Sequence, residues 1–293
     1  MKMILQMEAL VMEKISKNVL NQVITPRDPE SYKGNYGKVL IIAGSLQFGG
    51  AAILCASAAV HSGAGLVTVA TAPAKFTALN TKIPEAMTID YNNEKTLNKS
   101  IKNSTVIAIG PGLGTSKVAI DLVRDVLKNA KTGQTLIFDA SALTVIAEEK
   151  IALKSKANII MTPHQGEWQR LSKLDIPDQT EVKNVHKLQE LNPNAVLVLK
   201  KHHSEIYYQD ASLQINAGNP GMATGGMGDT LTGIIAGFVG QFGYSPSTIS
   251  AALLIHSTIA DDIYEHHYVV LPSKIIEKLP KYMAHYSYQR YDK

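Results

Sequence analysis

The sequence has almost no cysteine, since Cys55 is the only one among 293 residues. A single cysteine excludes an intramolecular disulfide and a cysteine-based metal site, and it fits the reducing environment of the cytosol. We therefore expect a cytoplasmic protein. A large excess of one charge is also missing, because 29 Lys and Arg residues oppose 25 Asp and Glu residues. The small positive balance is spread along the chain, so charge does not favour a nucleic-acid partner.

Long apolar runs are absent as well. The two richest stretches, 51–60 and 249–260, fall short of the ~20 residues that a membrane-spanning helix needs. They are better interpreted as buried helices, and we expect no membrane partner. A disordered chain is excluded too, because 45% of the residues are hydrophobic and the net charge is only +4.

The N-terminal segment suggests a signal peptide only superficially. Glu8, Glu13 and Lys14 interrupt its apolar residues, and no small-residue cleavage site follows. We predict instead that an extension of about residues 1–33 contains an amphipathic helix. The apolar residues available for one face of this helix are Ile4, Leu5, Leu10, Val11 and Ile15.

Short apolar runs alternate with segments of helical length along the chain. The runs are almost continuously apolar, which is typical of strands buried on both faces of a parallel sheet. These predicted strands occupy residues 38–44, 65–71, 105–110, 135–140, 157–162 and 195–200. Helices are predicted between them at 51–62, 117–129 and 165–191, the last split near Pro177. The alternation indicates βαβ units and a sheet covered by helices.

The last third of the chain adds a hairpin and several helices. Residues 205–209 and 213–216 predict a hairpin at one edge, which would make the sheet mixed. Apolar residues recur at helical spacing over 229–242. Further helices are expected at about 247–265 and, as a short one, from about 272. No linker rich in Pro, Gly or Ser interrupts the sequence, so we expect the whole chain to form one domain.

A glycine-rich stretch precedes the predicted helix at 229–242. Its glycines are Gly218, Gly221, Gly225, Gly226 and Gly228. Glycines let consecutive backbone N–H groups point at one anion, and the helix N-terminus adds further donors and a positive dipole end. Asp229 then lies in the first turn, where it is either a helix cap or the base for a hydroxyl that attacks a phosphate. The crowding of glycines favours the catalytic interpretation.

The segment GGMGDTLTG resembles the Gly-x-Gly-Asp signature of the ribokinase-like superfamily. Together with three other segments it resembles one branch, the ADP- or ATP-dependent NAD(P)H-hydrate dehydratases, over about residues 33–280. The segments that carry this resemblance are 37–71, IGPGLG at 109–114, TPHQGEWQRL at 162–171 and NPGMATGGMGDTLTG at 219–233. The resemblance implies an α/β, ribokinase-like three-layer fold, with a mostly parallel central sheet and helices on both faces. The epimerase domain that is fused to many relatives is not expected here.

The resemblance also implies roles for individual residues. Asp229 would be the catalytic base and would contact the substrate NADHX or NADPHX together with Ala51, Gly112 and His164. Backbone N–H groups of an anion hole would come from Gly225, Gly226, Met227 and Gly228. The nucleotide, ADP or ATP, would be bound by Gly228 and by Lys200, Lys201, His202, His203 and Ser204. Magnesium is the implied cofactor, without assigned ligands, and a homotetramer is the implied assembly.

The residues by themselves leave alternatives open at several of these positions. His164 and Glu167 follow a predicted strand, so they either bind substrate and a cation, or the segment merely caps the next helix through Thr162 and Glu167. Gly112 either exposes backbone to a ligand or forms a tight Pro-Gly turn. Asp139 either contacts magnesium or substrate, or merely ends a strand. The adjacent histidines at 202–203 lack the spacing of a zinc helix and are interpreted as surface or packing residues.

Two segments depart from the pattern of the family. The nucleotide-contacting segment usually reads Leu-Lys-Gly-x-x-Thr, whereas here Lys201 replaces the glycine and Ser204 the threonine. The usual Asp-Ala-Asp-Ala-Leu reads DASAL, so Ser141 replaces the second acid. Two rival functions also stay open: a small-molecule kinase of the same fold that releases a phosphorylated product, and a nucleotide sensor without catalysis.

Overall fold

The computed structural model describes residues 12–288, apart from the side chain of Tyr288. Within this range ten strands form one sheet. They are β1 (Glu13–Lys14), β2 (Lys38–Ile42), β3 (Leu66–Thr71), β4 (Ala86–Asp90), β5 (Val106–Ile109), β6 (Thr135–Phe138), β7 (Asn158–Met161), β8 (Val196–Leu199), β9 (Glu205–Tyr208) and β10 (Ala211–Gln214). The six apolar runs of the sequence all form strands, as predicted.

Helices connect most of the strands. They are α1 (Asn18–Val23), α2 (Gly49–His61), α3 (Phe76–Lys82), α4 (Glu94–Asn103), α5 (Lys117–Asn129), α6 (Ser141–Glu148), α7 (Gln165–Ser172), α8 (Glu181–Leu191), α9 (Met227–Phe242), α10 (Pro246–Tyr264) and α11 (Pro272–Tyr288). Side-chain caps fix some of their ends: Ser245 accepts a hydrogen bond from the Thr248 N–H, and Pro246 begins α10. In the part of the chain that the structure describes, no helix combines the length and apolar character needed to cross a lipid bilayer.

The strand order is β1-β10-β9-β8-β7-β6-β5-β2-β3-β4. Strands β2 to β8 run parallel to one another, and β9 is antiparallel to both β8 and β10. The predicted hairpin is therefore present and makes the sheet mixed. It is not the edge of the sheet, because β1 pairs with β10 outside it.

The core consists of two apolar layers on opposite faces of the sheet. Side chains alternate along β2, so that Val39 and Ile41 face one layer and Leu40 and Ile42 the other. The first layer packs against α2, α9 and α10, and the second against α4 to α8. Helices thus cover both faces, which confirms the predicted three-layer α/β architecture.

Helices α2 and α9 approach each other closely through glycine. A Cβ atom at Gly233 would collide with the carbonyl oxygen of Cys55, and one at Gly237 would collide with the hydroxyl of Ser62. Only hydrogen fits at these two positions of α9. The two helices therefore lie against each other with almost no side chain between their backbones.

Several local predictions differ from the structure. Residues 1–11 of the predicted N-terminal helix lie outside the described residues. From there on the prediction is wrong, because Glu13–Lys14 pair with β10 and the first helix begins only at Asn18. Strand β4 and helices α3 and α4 were not predicted, and α11 is longer than the short helix expected from residue 272. The split of 165–191 is confirmed as α7, a 3-10 turn at Ile176–Asp178 and α8.

Candidate active site

The glycine-rich segment forms a loop that leads directly into α9. Gly226 adopts a φ of +90°, and a Cβ atom there would collide with Leu54 of α2, so this position requires glycine. The space beside Gly225 is open within 4 Å. No described side chain caps α9, so the N–H groups of its first turn are left for an anion.

Asp229 lies in that first turn with its side chain partly buried. Burial, reinforced by the nearby charge of Asp139, raises the pKa of Asp229 to about 6, although the Lys200 ammonium acts in the opposite direction. A carboxylate with this pKa is ionised at neutral pH and is a stronger base than an ordinary aspartate. Asp229 therefore has the acidity expected of a general base.

Asp139 joins the end of β6 to α9 and to β8. Its carboxylate is 1% exposed and accepts hydrogen bonds from Lys200 Nζ and Thr232 Oγ1, both at 2.7 Å. Thr232 lies one turn after Asp229 on the same face of α9. The sequence did not single out Thr232, although its spacing of three residues from Asp229 could have suggested it. Asp139 therefore does more than end a strand.

Lys200 places a positive charge among three carboxylates. Its Nζ atom is 2.7 Å from Asp139 and 4.0 Å from Glu167, and it would lie 3.1 Å from a Cβ atom on Gly228. Burial alone would lower the pKa of Lys200, but Asp139 and Glu167 outweigh it, so the pKa is raised. The side chain is thus a charged ammonium beside the first turn of α9, where phosphate oxygens would be attracted.

His164 and Glu167 form a capping box at the start of α7. His164 Nδ1 accepts hydrogen bonds from the backbone N–H groups of Gly166 and Glu167, while Glu167 Oε2 accepts one from the His164 N–H at 2.8 Å. The capping role is therefore confirmed for Glu167, while His164 and not Thr162 is the N-cap. The His164 side chain is 55% exposed, with its Nε2 atom 3.5 Å from Glu167 Oε1.

Ala51 and Gly112 lie against each other on the other side of the cluster. Gly112 has a φ of +62°, and a Cβ atom there would lie 2.8 Å from the Ala51 methyl group and 2.5 Å from the Phe48 carbonyl oxygen. Leu54, one turn after Ala51 on α2, contacts the loop at Gly226. The structure thus connects Ala51 and Gly112, through α2, to the glycine-rich loop of residues 225–228, here called the anion loop.

The segment predicted to contact the nucleotide forms the turn between β8 and β9, here called the nucleotide turn. Only Lys200 points into the Asp229 cluster, because the Lys201 ammonium lies 2.7 Å from Glu205 Oε1. Ser204 Oγ bonds within the turn to the Lys201 backbone. The His202 and His203 rings contact each other at a tilt of 48° with centroids 3.9 Å apart, and His203 adopts a φ of +55°. The side chains of this turn other than Lys200 are therefore separate from the carboxylate cluster.

Glu205 belongs to a buried network that the sequence did not reveal. It accepts a hydrogen bond from Tyr207 Oη at 2.7 Å, and Tyr207 in turn accepts one from Asn184. Asn184 accepts a hydrogen bond from the fully buried Trp168 indole at 2.8 Å. Lys201 neutralises the charge at the end of this network, so its replacement of glycine has a structural role.

The second departure from the family pattern also has a local explanation. Ser141 Oγ accepts a hydrogen bond from the Gly114 N–H at 3.0 Å, so it fixes the loop after β5. Among residues 12–288 no group of three His, Cys, Asp or Glu side chains is arranged to hold a metal ion by itself. Any divalent cation would need further ligands from a bound molecule.

A cavity of about 960 Å³ lies away from the cluster around Asp229. It is at the opposite ends of α2 and α9, beside His61 and Phe242. Arg27 lines the cavity. Its guanidinium group donates hydrogen bonds to Gly63 and Gln241 and stacks on Tyr36. The carboxylates of this cavity, Asp28 and Glu30, are exposed, and it has neither the buried carboxylate–lysine cluster nor the glycine loop found beside Asp229, so the site at Asp229 is the better candidate.

The fold and this site define a ribokinase-like α/β protein with an anion loop and an acidic first turn. A ribokinase-like superfamily protein from Enterococcus faecalis has a TM-score of 0.91 at 43% identity, covering 94% of this chain and 96% of that one. The ADP/ATP-dependent NAD(P)H-hydrate dehydratase of Bacillus subtilis, co-crystallised with ATP and Mg²⁺, has a TM-score of 0.82 at 27% identity, covering 95% and 100%. The predicted fold class is confirmed.

Sequence comparison gives a narrower result. The profile of the NAD(P)H-hydrate dehydratase family matches residues 39–281. The ADP-dependent (S)-NAD(P)H-hydrate dehydratase of Lactiplantibacillus plantarum is 46% identical over 277 residues, which are 94% of this chain and 98% of the relative. The chain therefore belongs to the NAD(P)H-hydrate dehydratase family, as the motifs indicated.

Proposed function

We propose that this protein is a hydro-lyase that converts (6S)-NADHX or NADPHX back to NADH or NADPH. ADP, or alternatively ATP, would be cleaved to AMP, or ADP, and phosphate. Two supports are independent of each other: the relatives are named for this reaction, and Asp229 combines a pKa of about 6 with a place beside an open anion loop. The second observation carries the proposal.

Asp229 would begin the reaction by taking the proton of the C6 hydroxyl group. The hydroxyl oxygen would then form a bond to the terminal phosphorus of the nucleotide, whose bridging P–O bond breaks. Phosphate would leave C6 with the C–O electron pair, pushed by the lone pair of the ring nitrogen. Loss of a proton from the adjacent carbon would restore the double bond of the reduced nicotinamide. Phosphorylation thus turns a poor leaving group into a good one.

The glycine loop and Lys200 would stabilise the charge that develops on the phosphoryl group. Residues 225–228 lead into and begin α9, whose N-terminus has no side-chain cap, and the Lys200 ammonium lies beside Gly228. Asp139 holds that ammonium in place through the 2.7 Å contact. Lys200 and Gly228 are therefore the nucleotide contacts that the geometry supports best, while Lys201 to Ser204 would contribute through the shape of the turn.

Magnesium fits the surroundings if the nucleotide supplies most of its ligands. Mg²⁺ in proteins is commonly bound by one or two carboxylates together with substrate phosphates. Glu167 is the carboxylate that would hold it, since both oxygens of Asp139 already accept hydrogen bonds from Lys200 and Thr232. It would neutralise charge on the phosphates.

The proposed substrate contacts are Ala51, Gly112, His164 and Asp229. Ala51 and Gly112, here called the substrate wall, follow β2 and β5 on the side of Asp139 away from the nucleotide turn, whereas His164 pairs with Lys200 at that turn. We also propose the cytoplasm as location and a homotetramer as assembly, which light scattering on the purified protein would test.

A coupled assay tests the function. Purified protein is supplied with NADHX and either ADP or ATP, and the absorbance of reduced nicotinamide and the release of phosphate are followed together. A dehydratase produces both in equal amounts. A kinase of the same fold would consume nucleotide and leave a phosphorylated product, and a sensor would bind nucleotide without releasing phosphate.

A further inference from the structure

A second cavity lies at the carboxyl ends of four neighbouring parallel strands. It has a volume of about 550 Å³, within the range of small-molecule sites. The loops that line it follow β5, β2, β3 and β4. Its lining includes Ser45 to Phe48, Ala72 to Ala74, Tyr91, Asn92, Leu113 to Ser116 and Val118.

The cavity coincides with the point where the chain direction across the sheet reverses. From β2 the chain proceeds to β3 and β4 on one side, and it then returns to β5 and continues to β8 on the other. The loops after β2 and β5 therefore diverge from each other. In open α/β sheets ligands bind in the crevice that such diverging loops create.

The cavity is continuous with the proposed substrate wall. Phe48 lines the cavity, and its backbone oxygen and Cβ atom lie within about 3 Å of the Cβ position of Gly112, beside the Ala51 methyl group. Leu113 and Gly114, the next residues of the same loop, line the cavity as well. A ligand that touches Ala51 and Gly112 thus meets the cavity mouth.

The character of the lining suits a nucleoside. None of the described residues that line the cavity carries a formal charge. Three apolar side chains are unusually exposed there: Leu46 at 70%, Phe48 at 57% and Val118 at 41%. Exposed apolar groups gathered at a concave surface indicate a binding site, and an aromatic ring can stack on a nucleobase.

The spacing of the strands separates this cavity from the reacting groups. Asp139 follows β6, and its hydrogen bond with Thr232 places the start of α9 at the end of that strand. Strand β6 is three strand positions from β3. At about 4.8 Å per strand the separation is about 14 Å. The nucleotide turn after β8 lies on the opposite side of Asp139. Two ligands would therefore approach Asp229 from opposite sides.

We propose that this cavity binds the adenosine half of the hydrated dinucleotide, the half that takes no part in the reaction. The inference rests on the proposed function. With its nicotinamide ring at Asp229, the dinucleotide would pass Ala51 and Gly112 and place its adenosine between Leu46, Phe48 and Val118. Binding energy from this remote half would be the same in the ground state and the transition state, so it would lower KM for the dinucleotide without changing kcat.

The test measures steady-state kinetics of Phe48→Ala and Leu46→Ser with NADHX at saturating ADP. We expect KM for NADHX to rise about ten-fold in Phe48→Ala, because an aromatic contact to a base is lost. The kcat and the KM for ADP should stay within two-fold. Ile176→Ala is the matched control, since Ile176 is an equally apolar side chain, 44% exposed and outside both sites.

A truncated substrate sharpens the test. The hydrate of reduced nicotinamide mononucleotide lacks the adenosine half, so wild type and Phe48→Ala should convert it with the same kcat/KM. An unchanged KM for NADHX in both variants would overturn the proposal. A rise in KM for ADP instead would assign the cavity to the nucleotide and would overturn it as well.

A binding measurement separates this inference from the proposed function. NAD⁺ is titrated calorimetrically into each protein in the presence of saturating α,β-methylene-ADP. Weaker NAD⁺ binding by Phe48→Ala than by wild type supports the cavity even if NADHX is not converted. Equal NAD⁺ affinities reject the cavity, whereas absence of turnover by wild type rejects only the proposed reaction.

Discussion

Replacing Asp139 by asparagine should lower the pKa of Asp229. The carboxylate of Asp139 is, after burial, the largest cause that raises this pKa to about 6. Asparagine keeps an oxygen for the Thr232 hydroxyl but removes the charge. The Lys200 ammonium, which lies 2.7 Å from Asp139, also loses its nearest counter-charge and is free to attract Asp229. Both effects favour the ionised form of Asp229, so they act in the same direction.

The magnitude in the wild-type enzyme follows from the pKa of about 6. A base with this pKa is about 90% ionised at pH 7 and about 10% ionised at pH 5, since one unit corresponds to a factor of ten. The kcat/KM for NADHX should therefore fall almost tenfold between these two values. In Asp139→Asn the fall should be clearly smaller, because the acid limb moves to lower pH. The absolute rate should drop as well, since a less basic carboxylate accepts the proton less readily.

The assay is the pH profile of kcat/KM for NADHX at saturating nucleotide, followed by reduced-nicotinamide absorbance. Nucleotide phosphates titrate near pH 6 themselves, but they do so equally with both enzymes, so the difference between the profiles is informative. Lys200→Met tests the direction of the pKa shift. The lysine lowers the pKa of Asp229, so its loss should raise that pKa and move the acid limb of the pH profile to higher pH. An unmoved limb in Asp139→Asn, or equal shifts in both variants, would refute the reasoning.

Three further predictions concern the base, the loop and the core. Asp229→Asn should fold normally and lose nearly all turnover, and retention of more than about a tenth of wild-type activity would reject Asp229 as the base. Gly226→Ala should lower the free energy of unfolding by about 1–3 kcal/mol and raise KM for ADP, because of its φ of +90° and the contact with Leu54; Gly225→Ala, which has open space, is the control for stability. Burial lowers the pKa of His256 from 6.5 to about 4, so the unfolded chain binds this proton first and stability is lost as pH falls from 6.5 towards 4. Urea unfolding should show about 2 kcal/mol less stability at pH 5 than at pH 7.5 from this group, and His256→Leu should lack that part of the loss.

The layered architecture could be predicted because its strands are buried on both faces. Runs such as 38–42 are apolar at almost every position, and this signal does not depend on distant residues. Strand β4 gave no such signal, because it pairs only with β3 and most of its side chains are partly exposed. Helix α4 was missed for a similar reason, since only Leu97 and Ile101 of its ten residues are buried.

The chemistry of the site was only partly predictable. Asp229 and the glycines could be predicted from their spacing, because the loop and the helix are contiguous in the sequence. The ion pair of Asp139 with Lys200 joins residues 61 positions apart. It depends on β7 lying between β6 and β8, and no local pattern contains that order. The Lys201–Glu205 pair depends in the same way on how the hairpin turns.

The glycine contacts between α2 and α9 have a mechanical consequence. The nearest atom to a Cβ at Gly233 is the Cys55 carbonyl oxygen and at Gly237 it is the Ser62 hydroxyl, so a larger side chain at either position would push the two helices apart. Asp229 at the start of α9 and Ala51 at the start of α2 therefore lie on two helices that pack tightly against each other. In the proposed reaction this packing would hold the base and the substrate contact at a fixed spacing, so that closure around the ligands would come from the surrounding loops.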